Sequence, residues 1–294
     1  MVAKITNYAP VKYMLNALSF DIEDWYHSIF SIPFEEWDRY EDKLIPNLNK
    51  ILPVLDEYNI KATFFVLGYI AKKTPEVVKM LHQSGHEIAV HGYNHKLLYQ
   101  QTPDEFRDDL KRAIGVIEEL IQEKVIGYRA PYWSINKQSY WALEIIRQEG
   151  LLYDSSIYPL FYGMPSSPRF PYIIKGSTGI LPVNNSLIEF PPSCLRLCGI
   201  NLPMGSGFYF RAFPYQLTRW GLRRINKECN PALICLHPPE FDPSKPRFKM
   251  RTFGEYVLHY YNLDTTLEKF NQLVKGFRFG TIREVLAGMG WLIC

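Results

Sequence analysis

The sequence predicts an α/β protein in which helices cover a parallel sheet. Three observations favour this fold class. Apolar strand-like runs alternate with helix-like segments through the first half of the chain. Polar residues follow several predicted strands directly, where parallel α/β folds place their active sites. A chain of 294 residues with 47% hydrophobic content is also long enough for an α/β barrel in one domain.

The elements of the first half are predicted from apolar periodicity and from end signals. Thr102 and Glu105 form a capping box with Pro103 at the first helical position, and Gly85 and Gly150 end two helices. In order, we predict a strand at 14–20, a helix at 46–58, a strand at 61–68, a helix at 75–83, a strand at 87–90, a helix from 102 to about 122, a strand at 125–128, a helix at 136–148 and a strand at 151–153 that leads to Asp154.

The second half is less regular. Residues 156–207 are rich in Pro, Gly and Ser and contain one clear strand, at 187–190, which predicts a loop-rich insertion. A helix at 214–226, a buried strand at 231–236, a helix from beyond Asp264 to about Lys275 and a short strand at 277–279 follow. No linker, repeat or low-complexity tract divides the chain.

Composition narrows the range of partners. The net charge is only +3 and no block of Lys and Arg is present, which argues against a nucleic acid or a polybasic membrane role. Aromatic residues make up 15% of the chain. Aromatic faces are platforms for sugar rings, although core filling is their commoner use, so this excess gives weak support for a carbohydrate ligand.

Cysteine usage and apolar runs predict a cytoplasmic protein. The five cysteines are an odd number, which favours reduced, mostly buried thiols. Lys4, Pro10 and Lys12 interrupt what would be the apolar core of a signal peptide. The longest charge-free stretches are broken by Pro, Gly and Asn, so no transmembrane segment is expected. The oligomeric state is left open.

Three carboxylates, Asp21, Glu23 and Asp24, lie within four positions after the first strand. Like charges this close repel one another and cost desolvation, which a bound cation would offset. A solvated acidic turn is the alternative. In a strand Asp21 and Glu23 would share a face, whereas a turn after Ile22 would bring Asp24 inward.

His91 and His95 follow another predicted strand at a spacing of four residues. Two neutral imidazoles can bind one divalent ion from a single turn, with a carboxylate as the third ligand and an open position for water. Surface or packing histidines are the commoner source of such pairs. Together with the three carboxylates after the first strand, the histidine pair favours a metal site over surface or packing histidines.

His237 and Arg129 also follow predicted strands. His237 precedes Pro238 and Pro239, and it is either a packed loop histidine or a general acid near neutral pH. Arg129 is either a surface arginine or, at a barrel rim, a group that holds a carboxylate base ionised.

Together these residues resemble the five ordered motifs of the polysaccharide deacetylases, carbohydrate esterase family four, which share the nodulation-deacetylase homology domain. The matching segments are Ser19 to Asp24, His91 to His95, Arg129 to Tyr132, Tyr153 to Tyr158, and Leu233 or Leu236 to His237. Segments 205–211, 237–243 and 259–263 resemble a subgroup associated with bacterial exopolysaccharide and surface-polysaccharide biosynthesis.

The sequence departs from the family pattern in three places. The two adjacent aspartates of the first motif are spread over three carboxylates, Gly92 stands where the family has Ser or Thr, and the fourth motif lacks its tryptophan. The resemblance implies an irregular (β/α) barrel of the seven-stranded deacetylase type. It also implies a single domain over residues 1–294, with the motifs between 19 and 237 and a closing segment at 238–294.

The resemblance also implies the roles of the metal ligands and the base. A divalent ion, usually zinc, binds His91, His95 and one carboxylate, for which we favour Asp24 over Glu23, and holds a water. Asp21 is the general base that deprotonates this water as it attacks the acetamide carbonyl.

The remaining roles concern the oxyanion and the leaving group. The metal and the backbone N–H of Tyr132 stabilise the oxyanion. His237 protonates the leaving amine, while Arg129 orients Asp21 and Asp154 orients His237.

The implied function is a metal-dependent hydrolase that removes N-acetyl groups from amino sugars of a bacterial surface or exported polysaccharide or its precursor. Two alternatives stay open: a non-catalytic carbohydrate-binding relative, and a metal amidohydrolase acting on a small cyclic amide. An open groove would favour a glycan and a closed pocket the small amide.

Overall fold

The computed structural model describes residues 14–29, 32–160, 164–174 and 186–292. The strands are β1 (Leu15–Ile22), β2 (Thr63–Val66), β3 (Glu87–Val90), β4 (Gly127–Tyr128), β5 (Tyr153–Asp154), β6 (Tyr172–Ile173), β7 (Ile188–Glu189), β8 (Cys194–Leu197), β9 (Ile200–Pro203), β10 (Leu233–Leu236) and β11 (Arg278–Gly280).

Nine of these strands form the main sheet, β8 and β9 pair separately, and helices cover the main sheet. They are α1 (Leu44–Glu57), α2 (Gly68–Lys73), α3 (Pro75–Gln83), α4 (Pro103–Ile121), α5 (Ala142–Gln148), α6 (Gly207–Ala212), α7 (Tyr215–Lys227), α8 (Phe253–Tyr260), α9 (Thr266–Gly276) and α10 (Ile282–Gly288). Among the described residues, no helix is both long enough and apolar enough to cross a bilayer.

Seven strands run parallel in the spatial order β10, β1, β2, β3, β4, β5, β7. β11 adds a parallel pairing to the start of β1, and β6 pairs antiparallel with β7 at the far edge. The sheet is curled into a half-barrel, so the predicted α/β class with parallel strands is confirmed. Because the seven strands point the same way, the residues that follow them meet at one edge.

The central strands are buried on both faces, as strands of a parallel sheet covered by helices must be. Every residue of β2, β3 and β10 is buried. β1 joins the two halves of the chain: Ala17 to Phe20 pair with β10, and Ser19 to Ile22 pair with β2.

Several element bounds agree with the sequence pattern. α3 and β3 have the predicted bounds. α4 begins with the predicted capping box, in which the hydroxyl of Thr102 accepts from the N–H of Glu105 while the Glu105 carboxylate accepts from the N–H of Thr102. The capping box fixes the start of α4 because it satisfies backbone N–H groups that a helix start leaves unpaired.

Other elements differ from the prediction. The helix expected at 136–148 begins only at Ala142, and α2, α6, α8 and α10 are short helices that the sequence pattern does not reveal. The expected insertion contains the hairpin β8–β9, whose turn residues Cys198 and Gly199 have φ of 48° and 82°. A Cys-Gly pair is not among the usual signals of such a turn, which favours Asn-Gly or Asp-Gly.

The cysteines are not paired with one another among the described residues. Cys194 and Cys235 are buried, Cys229 is half-buried and Cys198 is exposed. Cys294 lies outside the described residues, as do Lys4, Pro10 and Lys12 and residues 175–185 of the charge-free stretches.

His86 is a buried histidine that stays neutral in the folded protein. Its Nδ1 accepts from the N–H of Ala62 at 3.2 Å, and its ring lies edge-on against Phe64. Burial lowers the pKa of His86 to about 4. Below about pH 6.5 the histidine is therefore protonated in the unfolded chain but not in the folded state. The free energy of unfolding falls as the pH drops from there towards 4.

We predict that the His86→Gln variant loses less stability between pH 7 and pH 5 than the wild type, by about 1–2 kcal/mol. Denaturant unfolding at each pH measures this difference. His82→Gln, at a half-buried position of α3, the helix that precedes His86, is the matched control and should follow the wild type. Equal pH dependence in the wild type and in His86→Gln would contradict the prediction.

Candidate active site

The side chains singled out in the sequence lie mostly at the carboxyl edge of the parallel sheet. Asp21 lies near the end of β1, and Glu23 directly follows that strand. His91, Arg129 and His237 directly follow β3, β4 and β10. A cavity of about 430 Å³ opens at this edge. Its wall includes Asp21, Glu23, His91, His95 and His237, together with aromatic side chains and, further out, residues of α6 and α8.

Glu23, His91 and His95 form a buried group that we call the metal-ligand group. Their donor atoms all lie within 4.8 Å of one another. The Nδ1 of His91 donates to the carbonyl oxygen of Arg129 at 2.8 Å, and the Nδ1 of His95 donates to that of His27 at 3.1 Å. Because a carbonyl oxygen only accepts, Nδ1 carries the proton in each ring and Nε2 keeps a lone pair.

The electrostatics of this group fit a cation. Burial lowers the pKa of His91 to about 4 and that of His95 well below its usual range, so both imidazoles are neutral. Burial, together with the nearby charge of Asp21, raises the pKa of Glu23 to about 8. Among the described residues, His91 Nε2 and Glu23 Oε2 are buried without a hydrogen-bond partner. A divalent ion would satisfy both atoms.

Asp24, which the sequence favoured as the metal carboxylate, lies elsewhere, and that preference is corrected. Its carboxylate accepts from the backbone N–H groups of Trp25 at 2.7 Å, Lys43 at 2.5 Å and Leu44 at 2.8 Å. It therefore anchors the start of α1. The reason is that β1 continues through Ile22, which leaves Glu23, not Asp24, on the side of the histidines.

A second group of donor atoms, from Asp21, Cys235 and His237, also lies within 4.8 Å. Arg129 disfavours a cation there, because its Nη1 lies 2.6 Å from Asp21 Oδ1 and donates to Cys235 Sγ at 3.1 Å. Burial also raises the pKa of the Cys235 thiol to about 12, so the thiolate that would bind a metal is absent. The metal-ligand group is thus the better cation site.

Asp21 is held as a carboxylate by a fully buried arginine. Burial alone would raise the pKa of Asp21, but the charge of Arg129 outweighs it and lowers the pKa below its usual range. Oδ2 of Asp21 lies 3.7 Å from His91 Nε2 and 3.6 Å from His237 Nε2. An ionised carboxylate between the metal-ligand group and a second histidine is suited to general base chemistry.

His237 is oriented by Glu240, a residue that the sequence reasoning missed. Its Nδ1 lies 3.3 Å from Glu240 Oε2, and its backbone N–H donates to the same carboxylate at 3.0 Å. Burial would lower the pKa of His237, but the negative charges of Glu240 and Asp21 raise it well above its usual value. The spacing of three residues across Pro238 and Pro239 was the available signal, since it is the spacing of a capping box.

Asp154, which the resemblance assigned to orienting His237, has different partners, and this assignment is corrected. Its buried carboxylate accepts from the hydroxyl of Ser156 at 2.5 Å, and burial raises its pKa to about 6. Ser156 in turn accepts from the N–H of Ala130 at 2.7 Å. Asp154 therefore supports the segment after Arg129. The sheet order explains this, because β5 is separated from β10 by β1 to β4.

Tyr132 and Gly92 complete the wall of the site. Tyr132 has φ of 54° and packs its ring against His95 at 4.5 Å. The role of its backbone N–H at an oxyanion stays a prediction. Gly92 has φ of 74°, a conformation that favours glycine over Ser or Thr. Asp109 holds this loop instead of a hydroxyl, because its carboxylate accepts from the N–H of Tyr93 at 2.9 Å.

Comparison with known proteins agrees with this geometry. Residues 39–151 match the family model for polysaccharide deacetylases, and residues 155–287 match a domain of unknown function, DUF3473. A peptidoglycan-N-acetylglucosamine deacetylase of Bacillus cereus is 38% identical over 96 residues, which cover 32% of this chain and 35% of that protein. A peptidoglycan deacetylase of Helicobacter pylori is 29% identical over 152 residues, which cover 48% and 51%.

Solved structures support the same fold. A protein of Mycobacterium smegmatis assigned to the polysaccharide deacetylases superposes with a TM-score of 0.65 at 22% identity, covering 98% of this chain and 94% of that one. A Pseudomonas aeruginosa protein assigned to the same group gives 0.62 at 14% identity, with coverage of 94% and 91%. The chain spans about a third to a half of the length of the curated relatives described above. Residues 39–151 thus match the polysaccharide deacetylase family, and the chain shares the fold of these solved structures.

Proposed function

We propose that this protein hydrolyses the N-acetyl groups of amino sugars in a bacterial surface or exported polysaccharide, or in its precursor, with zinc as the divalent cation. The observation that carries the proposal is the pair of buried, unpartnered atoms, His91 Nε2 and Glu23 Oε2, beside an ionised Asp21 and a protonated His237. Two relatives are named as deacetylases of peptidoglycan, which supports an N-acetylated glycan as the substrate class.

Each residue of the site has a separate role in amide hydrolysis. A divalent cation held by Glu23, His91 and His95 would supply Lewis acidity to polarise the acetamide carbonyl and acidify water. Asp21, kept ionised by Arg129, accepts a proton from the attacking water. His237, held at Nδ1 by Glu240, donates its Nε2 proton to the leaving nitrogen. The C–N bond breaks, and acetate and an amino sugar are released.

The aromatic lining of the cavity supports a sugar ligand. Its wall carries Tyr132, Trp133, Tyr158, Phe208 and Tyr209. Aromatic faces of this kind pack against the apolar faces of sugar rings. The Asp21–Arg129 and His237–Glu240 pairs weigh against a non-catalytic binding protein, because recognition of a glycan needs neither a base nor an acid.

The direct test is acetate release from an N-acetylglucosamine oligomer by the purified protein. We expect a chelator to abolish it and zinc to restore it. Ring opening of a small cyclic amide without acetate release from the oligomer would favour the amidohydrolase instead, and glycan binding with neither reaction would favour the non-catalytic relative.

We predict that Asp21→Asn lowers kcat by about 100- to 10,000-fold, because the amide of Asn cannot accept the proton. Zinc content measured by elemental analysis should stay at one ion per chain, since Asp21 is outside the metal-ligand group. Asp56→Asn, an exposed change on α1, is the control and should keep wild-type activity. Full activity of Asp21→Asn would refute its role as the base.

We predict that Glu23→Gln loses most of the zinc, whereas Asp24→Asn retains it. Glu23 faces the two histidines, while the carboxylate of Asp24 is engaged by backbone N–H groups at the start of α1. Zinc titration followed by equilibrium dialysis compares the two variants. The reverse pattern, with zinc lost only from Asp24→Asn, would show that the metal carboxylate is Asp24.

A further inference from the structure

We call the part of the cavity wall formed by α6, α8 and residues 237–245 its second end. Two cationic side chains, Arg211 and Lys245, lie there beside His259, whose pKa burial lowers to about 4. None of them takes part in the hydrolysis described above. The question is which of their charges is already satisfied by the protein.

Arg211 is satisfied within the chain. Its side chain is buried, and Nε lies 3.3 Å from Glu240 Oε1. The rest of the guanidinium donates to the carbonyl oxygens of Leu258, at 2.6 Å, and Tyr261. Its role is therefore to hold Glu240 and the end of α8, while its charge adds to the potential at this end of the cavity.

Lys245 is different. Its side chain lines the cavity and the residue is only 6% exposed. Among the described residues, its ammonium group has no carboxylate within 4.0 Å and no side-chain hydrogen bond; its contact is the ring of Tyr260, 5.2 Å from Nζ. Burying an unpaired ammonium costs free energy, and burial accordingly lowers the pKa of Lys245 to about 7.

The carboxylates near this end do not supply the missing partner. Asp242 pairs with Lys50 at 3.6 Å, and Glu23 belongs to the metal-ligand group. Glu240 is engaged by both His237 and Arg211. Glu255, in the wall of the cavity, accepts from the backbone N–H of Arg251 at 2.9 Å. Arg247 adds another positive charge, 4.6 Å from the centre of the Tyr260 ring. One cation in the cavity is thus left for a ligand.

We propose that this end of the cavity is an anion subsite, in which Lys245 binds a carboxylate or phosphate group that the substrate carries next to its N-acetylated sugar. The inference rests on the proposed deacetylase function and names its substrate class: an acidic glycan or a phosphorylated sugar precursor. A ligand anion would give the buried ammonium the partner that the protein lacks, with a charge-assisted hydrogen bond that a neutral glycan cannot form.

The test is binding of matched acidic and neutral sugars to the zinc-loaded protein by calorimetry. A hyaluronan tetrasaccharide, in which glucuronic acid alternates with N-acetylglucosamine, is compared with chitotetraose. N-acetylglucosamine 1-phosphate is compared with N-acetylglucosamine. The first pair reports on a carboxylate and the second on a phosphate, so the pair with the larger difference identifies the group.

We expect the wild type to bind the acidic member of at least one pair about tenfold more tightly or better. Lys245→Met should reduce this preference by about the same factor, and Lys245→Arg should keep most of it. Lys249→Met, an exposed change in the same segment, is the matched control and should leave the preference unchanged. Equal affinity of the wild type for acidic and neutral sugars would overturn the proposal, whether or not a variant folds.

Acetate release from the same sugars separates this inference from the proposed function. Lys245-dependent binding without acetate release from any of them would retain the anion subsite and refute the deacetylase. Acetate release with the same kcat/KM from acidic and neutral oligomers would retain the deacetylase and refute the subsite. A preference for acidic sugars that persists in a folded Lys245→Met would also refute the assignment to Lys245.

Discussion

The contact between the guanidinium of Arg129 and the carboxylate of Asp21 is the interaction on which the site depends. Arg129 Nη1 reaches Asp21 from β4, and Nη2 donates to Ser155 Oγ at 2.9 Å after β5. The carbonyl oxygen of the same residue fixes the tautomer of His91. One buried residue thus sets the ionisation of the proposed base and the orientation of a proposed metal ligand. Removing one partner of such a buried pair typically costs about 3–5 kcal/mol.

The pKa values of two carboxylates at the end of β1 shift in opposite directions, and this difference separates their roles. Asp21 touches Arg129 and its pKa is lowered, whereas within the described part of the chain no guanidinium pairs with Glu23 and its pKa is raised to about 8. Pairs of titratable groups whose environments push their pKa values apart are typical of acid and base assignments in enzymes. A cation beside Glu23 would offset the cost of its burial, as Arg129 does for Asp21.

The sequence was informative where a rule of local geometry applied. The parallel direction of the strands brought Asp21, His91, Arg129 and His237 to one edge, as expected from their places after apolar runs. It was less informative where the position of a side chain depended on contacts distant in the chain. Asp24 turns to the N–H groups of Lys43 and Leu44, some twenty residues away, and Ser156, which donates to Asp154, accepts from the N–H of Ala130, 26 residues away. Neither contact has a signature in local spacing.

A crystal structure of the zinc-soaked protein, with anomalous data collected at the zinc edge, tests the proposed metal site most directly. We expect one strong anomalous peak, ligated by His91 Nε2, His95 and a carboxylate oxygen of Glu23, with Asp21 beside it and still paired with Arg129. A zinc ion ligated by Asp24, or by Asp21 with Cys235 and His237, would contradict it.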